Sequence, residues 1–89
     1  MLFMLTNRTR PDLSSADYGE LAALAKAFYA SMPADMKIRG EWVAVDRSVN
    51  YSLLEAPDID TVLRLQAPFE RFTDTVIVPV NSTVGWTAS

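Results

Sequence analysis

The 89-residue chain is 49% hydrophobic and 21% charged, an ordinary globular mix that separates it from disordered tails. It holds no Cys and no His, which excludes disulfides, thiolate nucleophiles, metal sites built on Cys or His, and a histidine general base. With a formal net charge of -3 and basic residues scattered from Arg8 to Arg71, it has no electrostatic footprint for nucleic acid.

A single domain of this length sits near the lower limit for a self-sufficient core, so oligomerisation is the expected supplement. No stretch approaches the roughly 20 apolar residues of a membrane span. The Leu2 to Leu5 run is too short for the apolar region of a secretory signal. The expectation is a cytoplasmic protein with no membrane partner, in which Asn81-Ser82-Thr83 is polar tail and not a glycosylation site. The domain is read as 1–80, with 81–89 as a C-terminal tail.

Residues 2–8 alternate as a strand, with Phe3, Leu5 and Asn7 on one face and Leu2, Met4, Thr6 and Arg8 on the other. Both faces begin apolar, as in a strand central to its sheet or covered on both sides. Pro11 stops it. Ser14-Ser15-Ala16-Asp17 then gives the Ser-x-x-Asp pattern of a helix start. Tyr18, Leu21, Ala22, Ala25, Phe28, Tyr29 and Met32 follow at spacings of three and four, one helix face that ends before Pro33.

The stretch Lys37 to Val45 alternates again, with Ile38, Gly40, Trp42 and Ala44 opposite Arg39, Glu41, Val43 and Val45. A polar turn, Asp46-Arg47-Ser48, leads into a strand from Val49 to Ala56, so the two form a hairpin. Asp58 caps a second helix with Asp60 in its first turn. Its expected inner stripe is Ile59, Val62, Leu63 and Gln66, and Pro68 closes it. The last strand runs from Phe72 to Val80, with Pro79 placed at an edge or where pairing ends.

The order strand, helix, strand, strand, helix, strand predicts a ferredoxin-like βαββαβ α+β sandwich, a four-stranded antiparallel sheet with two helices on one face. The other face of the sheet is left bare and apolar, a pattern that marks an interaction surface. The expected partner is a second copy of the chain, in a two-fold homodimer joined through the open sheet faces.

The stretches "LFMLTNRTRP", "IRGEWVAVDRSVNYSLLEAPD" and "APFERFTDTVIVPV" together resemble a group of small bacterial proteins in the dimeric α+β barrel superfamily, a group that carries no assigned activity. The shared features are an opening strand of the type hydrophobic-Phe-Met-hydrophobic-Thr, a Gly-x-Trp in the second strand, an aromatic followed by Glu in the third, and Pro-Val ending the fourth. The resemblance implies a dimeric barrel. The wider superfamily includes cofactor-independent monooxygenases, polyketide cyclases and isomerases, besides haem proteins; members that bind iron or take protons through His are incompatible with this composition. It thereby implies a cofactor-independent enzyme acting on a small hydrophobic, aromatic or polyketide-like molecule, with no cofactor and no metal. The alternative is a non-catalytic small-molecule-binding or interaction module. No catalytic residue is carried over.

Four residues are candidates for substrate binding. Asn7 is the first polar group after Phe3 and Leu5 on the expected helix-facing side, placed to hydrogen-bond a ligand carbonyl or hydroxyl at a cavity mouth. Trp42 and Tyr51 come from hairpin partners, diagonal neighbours on one face if the turn has four residues; with a three-residue turn Trp42 faces the dimer side. Beside Tyr29 of the first helix they would cradle a planar ligand, or else fill the core. Glu55 reads as a base if its face is covered by helices, and as an ion-pair partner of a nearby Arg otherwise. Arg8, Arg39 and Glu41 read as solvated or rim charges. Trp86, in the tail, is read either as docking on the protein or a partner, or as part of a disordered end.

Overall fold

The computed structural model describes residues 1–82. Its elements are β1 (Leu2–Thr9), α1 (Ser15–Ala30), β2 (Lys37–Val43), β3 (Asn50–Glu55), α2 (Ile59–Gln66), a 3₁₀ turn (Ala67–Phe69) and β4 (Thr73–Val80). The four strands form one antiparallel sheet in the order β2-β3-β1-β4. This is the ferredoxin-like α+β arrangement that the alternation and capping signals predict. The expected Trp86 contact lies outside the described residues.

Both helix starts form as their sequences dictate. Ser14 Oγ accepts from the Asp17 N–H at 3.1 Å, while Asp17 Oδ2 accepts from the Ser14 N–H at 3.0 Å, a reciprocal capping box. Asp58 Oδ1 accepts from the N–H and the hydroxyl of Thr61, at 2.8 and 2.7 Å. These bonds hold the Asp17 and Asp58 carboxyls below the usual carboxylate range, the backbone N–H of Ser14 and of Thr61 being the foremost cause in each.

The register assigns each residue to a face. Phe3 pairs with Leu54 and Pro79, Leu5 with Ser52 and Ile77, and Asn7 with Asn50 and Thr75. Those residues look toward the helices, where Phe3, Leu5, Leu54 and Val62 join Met36 and Ala56 in the core. Each such fully buried side chain contributes about 1.5–3 kcal/mol. Met4, Thr6, Tyr51, Leu53, Val76 and Val78 take the opposite face.

Three details differ from the sequence pattern. In β2 a bulge between Ile38 and Gly40 breaks the alternation: Ile38 pairs with Leu54 and packs on the core, while Gly40 pairs with Leu53 on the open face. An extra residue in one strand shifts every later side chain to the other face. In α2 the inward residues are Thr61, Val62 and Leu65, whereas Ile59 and Leu63 are exposed. Thr61 is partnered on this inward side, its hydroxyl donating to the Asp58 cap at 2.7 Å. Finally, α1 contributes no fully buried side chain; Tyr18 and Tyr29 are each about half exposed.

Candidate functional site

The helix whose apolar side is only partly buried stands over a cavity. A space of about 410 Å³ separates α1 from the sheet, walled by Leu21, Ala25 and Phe28 of α1, Leu5 of β1, Leu54 of β3 and Phe69 of the 3₁₀ turn. Phe28 forms the aromatic part of this wall. Its ring meets Tyr29 edge-on at 5.6 Å between centroids and Phe69 edge-on at 6.0 Å, the separations at which aromatic quadrupoles attract.

One end of the cavity is polar. Gln66, the last residue of α2, donates from Nε2 to Thr75 Oγ1 at 2.8 Å and to Asn7 Oδ1 at 3.4 Å. Thr75 donates in turn to Asn7 Oδ1 at 2.7 Å. Thr73 donates to the Phe69 carbonyl and stands 3.2 Å from the Thr75 hydroxyl. The network joins β1, β4 and α2 beneath the open space, with Asn7 at its centre as the β1 alternation requires.

At the other rim, Tyr29 Oη donates to Glu41 Oε1 at 2.5 Å. Partial burial first, then this bond and the carboxylate's charge, push the Tyr29 phenol up to about 12. Tyr29 is therefore a neutral hydrogen-bond donor at any physiological pH, not a phenolate base. Among the described residues, Glu41 bears the only charged side chain lining the cavity.

Asn7 and Tyr29 thus lie in the cavity wall. Trp42 and Tyr51 are placed differently from the expected diagonal pair: they sit directly across from one another in the β2–β3 ladder. The alternation that points Val43, Asn50 and Ser52 at the helices points the side chains of these two aromatics at the open face, although both residues also border the cavity. The expectation that Trp42 and Tyr51 cradle a ligand beside Tyr29 is corrected accordingly. The six-residue link from Ala44 to Val49, closed by an Ala44 N–H to Val49 O bond of 2.9 Å, and the β2 bulge set this register. Glu55 is also removed from any helix-covered pocket. It pairs with Leu2 and Lys37 on the open face and accepts from Arg39 at 2.7 Å.

Gln66, Thr75 and Glu41 enter the site without having been singled out as site residues. Gln66 did carry a signal, as a polar residue on the inward stripe of α2. Glu41 carried none, because its facing depends on the bulge.

The fold and cavity together define a class: a ferredoxin-like α+β domain with a half-polar cavity under its first helix. The chain belongs to the family described as Domain of unknown function (DUF3303), whose family model matches residues 1–88. No curated protein matches it. No helix among the described residues is long and apolar enough to cross a membrane.

Proposed function

We propose that this protein binds a small, hydrophobic, planar molecule of aromatic or polyketide type between α1 and the sheet, without a cofactor, and that it works as a homodimer of the dimeric α+β barrel kind. The cavity carries the reading. Its volume of about 410 Å³ falls in the range of roughly 300–1,000 Å³ typical of small-molecule sites, and its walls are apolar with a few convergent polar groups. A ligand there would also cover the apolar side of α1, which is only partly buried.

The dimer rests on the open sheet face. Trp42, Val76 and Val78 are 56%, 60% and 47% exposed and share that face with Met4, Leu53 and Tyr51. A contiguous apolar sheet of this kind is an interaction surface, and two copies meeting about a two-fold axis cover both at once.

A second reading, catalysis, is favoured by the pairing of Glu41 with Tyr29. A carboxylate beside a neutral phenol suits an isomerase- or cyclase-type step, in which Glu41 takes a proton from carbon next to a carbonyl and returns it elsewhere on the same molecule. Glu41→Gln would then abolish turnover while ligand is still retained.

Native mass spectrometry of the protein from its source cells tests the whole. A dimer with a discrete extra mass is the expected result. A bare dimer would leave an interaction module as the better account, and a monomer would remove the sheet-face argument.

A further inference from the structure

The polar end of the cavity has unequal hydrogen-bonding capacity, and the imbalance is specific. Asn7 Oδ1 accepts two hydrogen bonds, from Gln66 and Thr75, and Gln66 Nε2 reaches both Thr75 Oγ1 and Asn7 Oδ1. On the same two amides, Asn7 Nδ2 has no acceptor and Gln66 Oε1 has no donor among the described residues. Neither atom is sealed away, because no buried side-chain polar atom there lacks a partner. Both residues line the cavity. The network therefore holds the two amides by Asn7 Oδ1 and Gln66 Nε2 and leaves a donor, Asn7 Nδ2, and an acceptor, Gln66 Oε1, free on two residues that line the space.

Charge narrows the match further. Among the described residues no Lys or Arg lines the cavity, and its one charged group is the Glu41 carboxylate. An anionic ligand would lose water without gaining a cation and would face that carboxylate across an apolar space.

We infer that the ligand is an uncharged molecule with a hydrogen-bond acceptor and a donor on one edge, as in an amide, a lactam or a hydroxy-ketone, its acceptor on Asn7 Nδ2 and its donor on Gln66 Oε1. This rests on the cavity being a binding site, and it selects among small hydrophobic molecules by chemistry. Carboxylates, phosphates and their thioester carriers are rejected; plain hydrocarbons bind weakly because the two amides are left without partners.

Naphthyl compounds serve as probes, with binding to the full chain followed by fluorescence anisotropy. 1-Naphthamide has both groups, methyl 1-naphthoate the acceptor alone, naphthalene neither, and 1-naphthoate a charge. The expected order is naphthamide tightest, the ester about three- to tenfold weaker for one lost hydrogen bond, and naphthalene and the carboxylate weaker still. Gln66→Met should bring naphthamide down to the ester, and Asn7→Asp, which replaces the donor by an acceptor of the same shape, should erase the preference for both over naphthalene. The series on the unaltered protein needs no variant to fold. Equal binding of all four, or tightest binding of the carboxylate, overturns this inference and leaves the cavity a binding site. No binding by any probe overturns both.

Discussion

The indole of Trp42 lies over Gly40, two residues back on the same strand: a Cβ added to Gly40 would overlap Cη2 of the ring and stand 3.0 and 3.1 Å from Cζ2 and Cζ3. The Gly-x-Trp spacing of β2 is thus a seat for an aromatic ring on the open face of the sheet. Gly40→Ala would tilt the ring off that seat. Because the ring is half exposed, the cost to the folded chain stays below about 1–2 kcal/mol, partly offset by the stiffer unfolded chain. The proposed dimer would suffer more, with a dissociation constant raised about tenfold or more for a displaced interface aromatic. Sedimentation velocity across a dilution series, with urea melts alongside, separates the two effects; an unchanged dimer would take Trp42 out of the interface.

The Tyr29–Glu41 pair gives a pH signature. A phenol whose folded value is about 12 against an ordinary 10 stays protonated in the native state while the unfolded chain ionises. Its contribution is complete below pH 10 and is lost as pH rises from 10 through 12. Alkaline stability should therefore fall more steeply in the native sequence than in Tyr29→Phe. In a difference titration of tyrosinate absorbance between the two proteins, the missing component should have its midpoint near 12. Glu41→Gln should lower that midpoint, since it removes the charge and weakens the bond that help raise it.

Thr75 is the relay between Gln66 and Asn7. Thr75→Val conserves volume but removes the hydroxyl that accepts at 2.8 Å and donates at 2.7 Å. The loss should be about 1–3 kcal/mol, measured by urea unfolding, because two half-buried amides each lose a partner. Thr75→Ser should restore most of it.

Arg47, at the β2–β3 link, adopts φ of 63°, a left-handed conformation that costs a residue with a Cβ about 1–2 kcal/mol. Asp46 shapes the same turn by accepting from the N–H and hydroxyl of Ser48. Arg47→Gly should stabilise the protein by about 0.5–1 kcal/mol once glycine's greater freedom in the unfolded chain is subtracted. A lowered melting temperature would mean that the Arg side chain has a compensating role.

The strand order and both helix caps were legible because they depend on neighbours: Ser14 on Asp17, Asp58 on Thr61, Phe3 and Leu5 on a strict period of two. The side of the sheet taken by Trp42 was not, because a bulge at Arg39 is a matter of ladder hydrogen bonds that a two-residue period cannot express. The rotation of α2 was misread for a related reason. Ile59 and Leu63 are more apolar than Thr61, yet Thr61 is the buried one, with its hydroxyl bonded to the Asp58 cap. As for the site, Asn7 and Tyr29 stood out by position, while the Gln66–Thr75 bond and the facing of Glu41 are long-range relationships, visible only once β4 lies beside β1.

The partly buried inner side of α1 has a dynamic consequence. Its N-terminal turn is tied down by Arg71, which bridges to Asp17 at 3.2 Å and Glu20 at 3.3 Å, and exposed ion pairs of this kind are worth little. The sheet and α2 share the core, whereas the first helix is tethered at its ends and rests on few fully buried contacts. Its amides should exchange with solvent through openings that leave the strands protected. Under the proposed binding function, a ligand would enter and leave by lifting one wall, and its residence time would be set by how firmly it holds that wall shut.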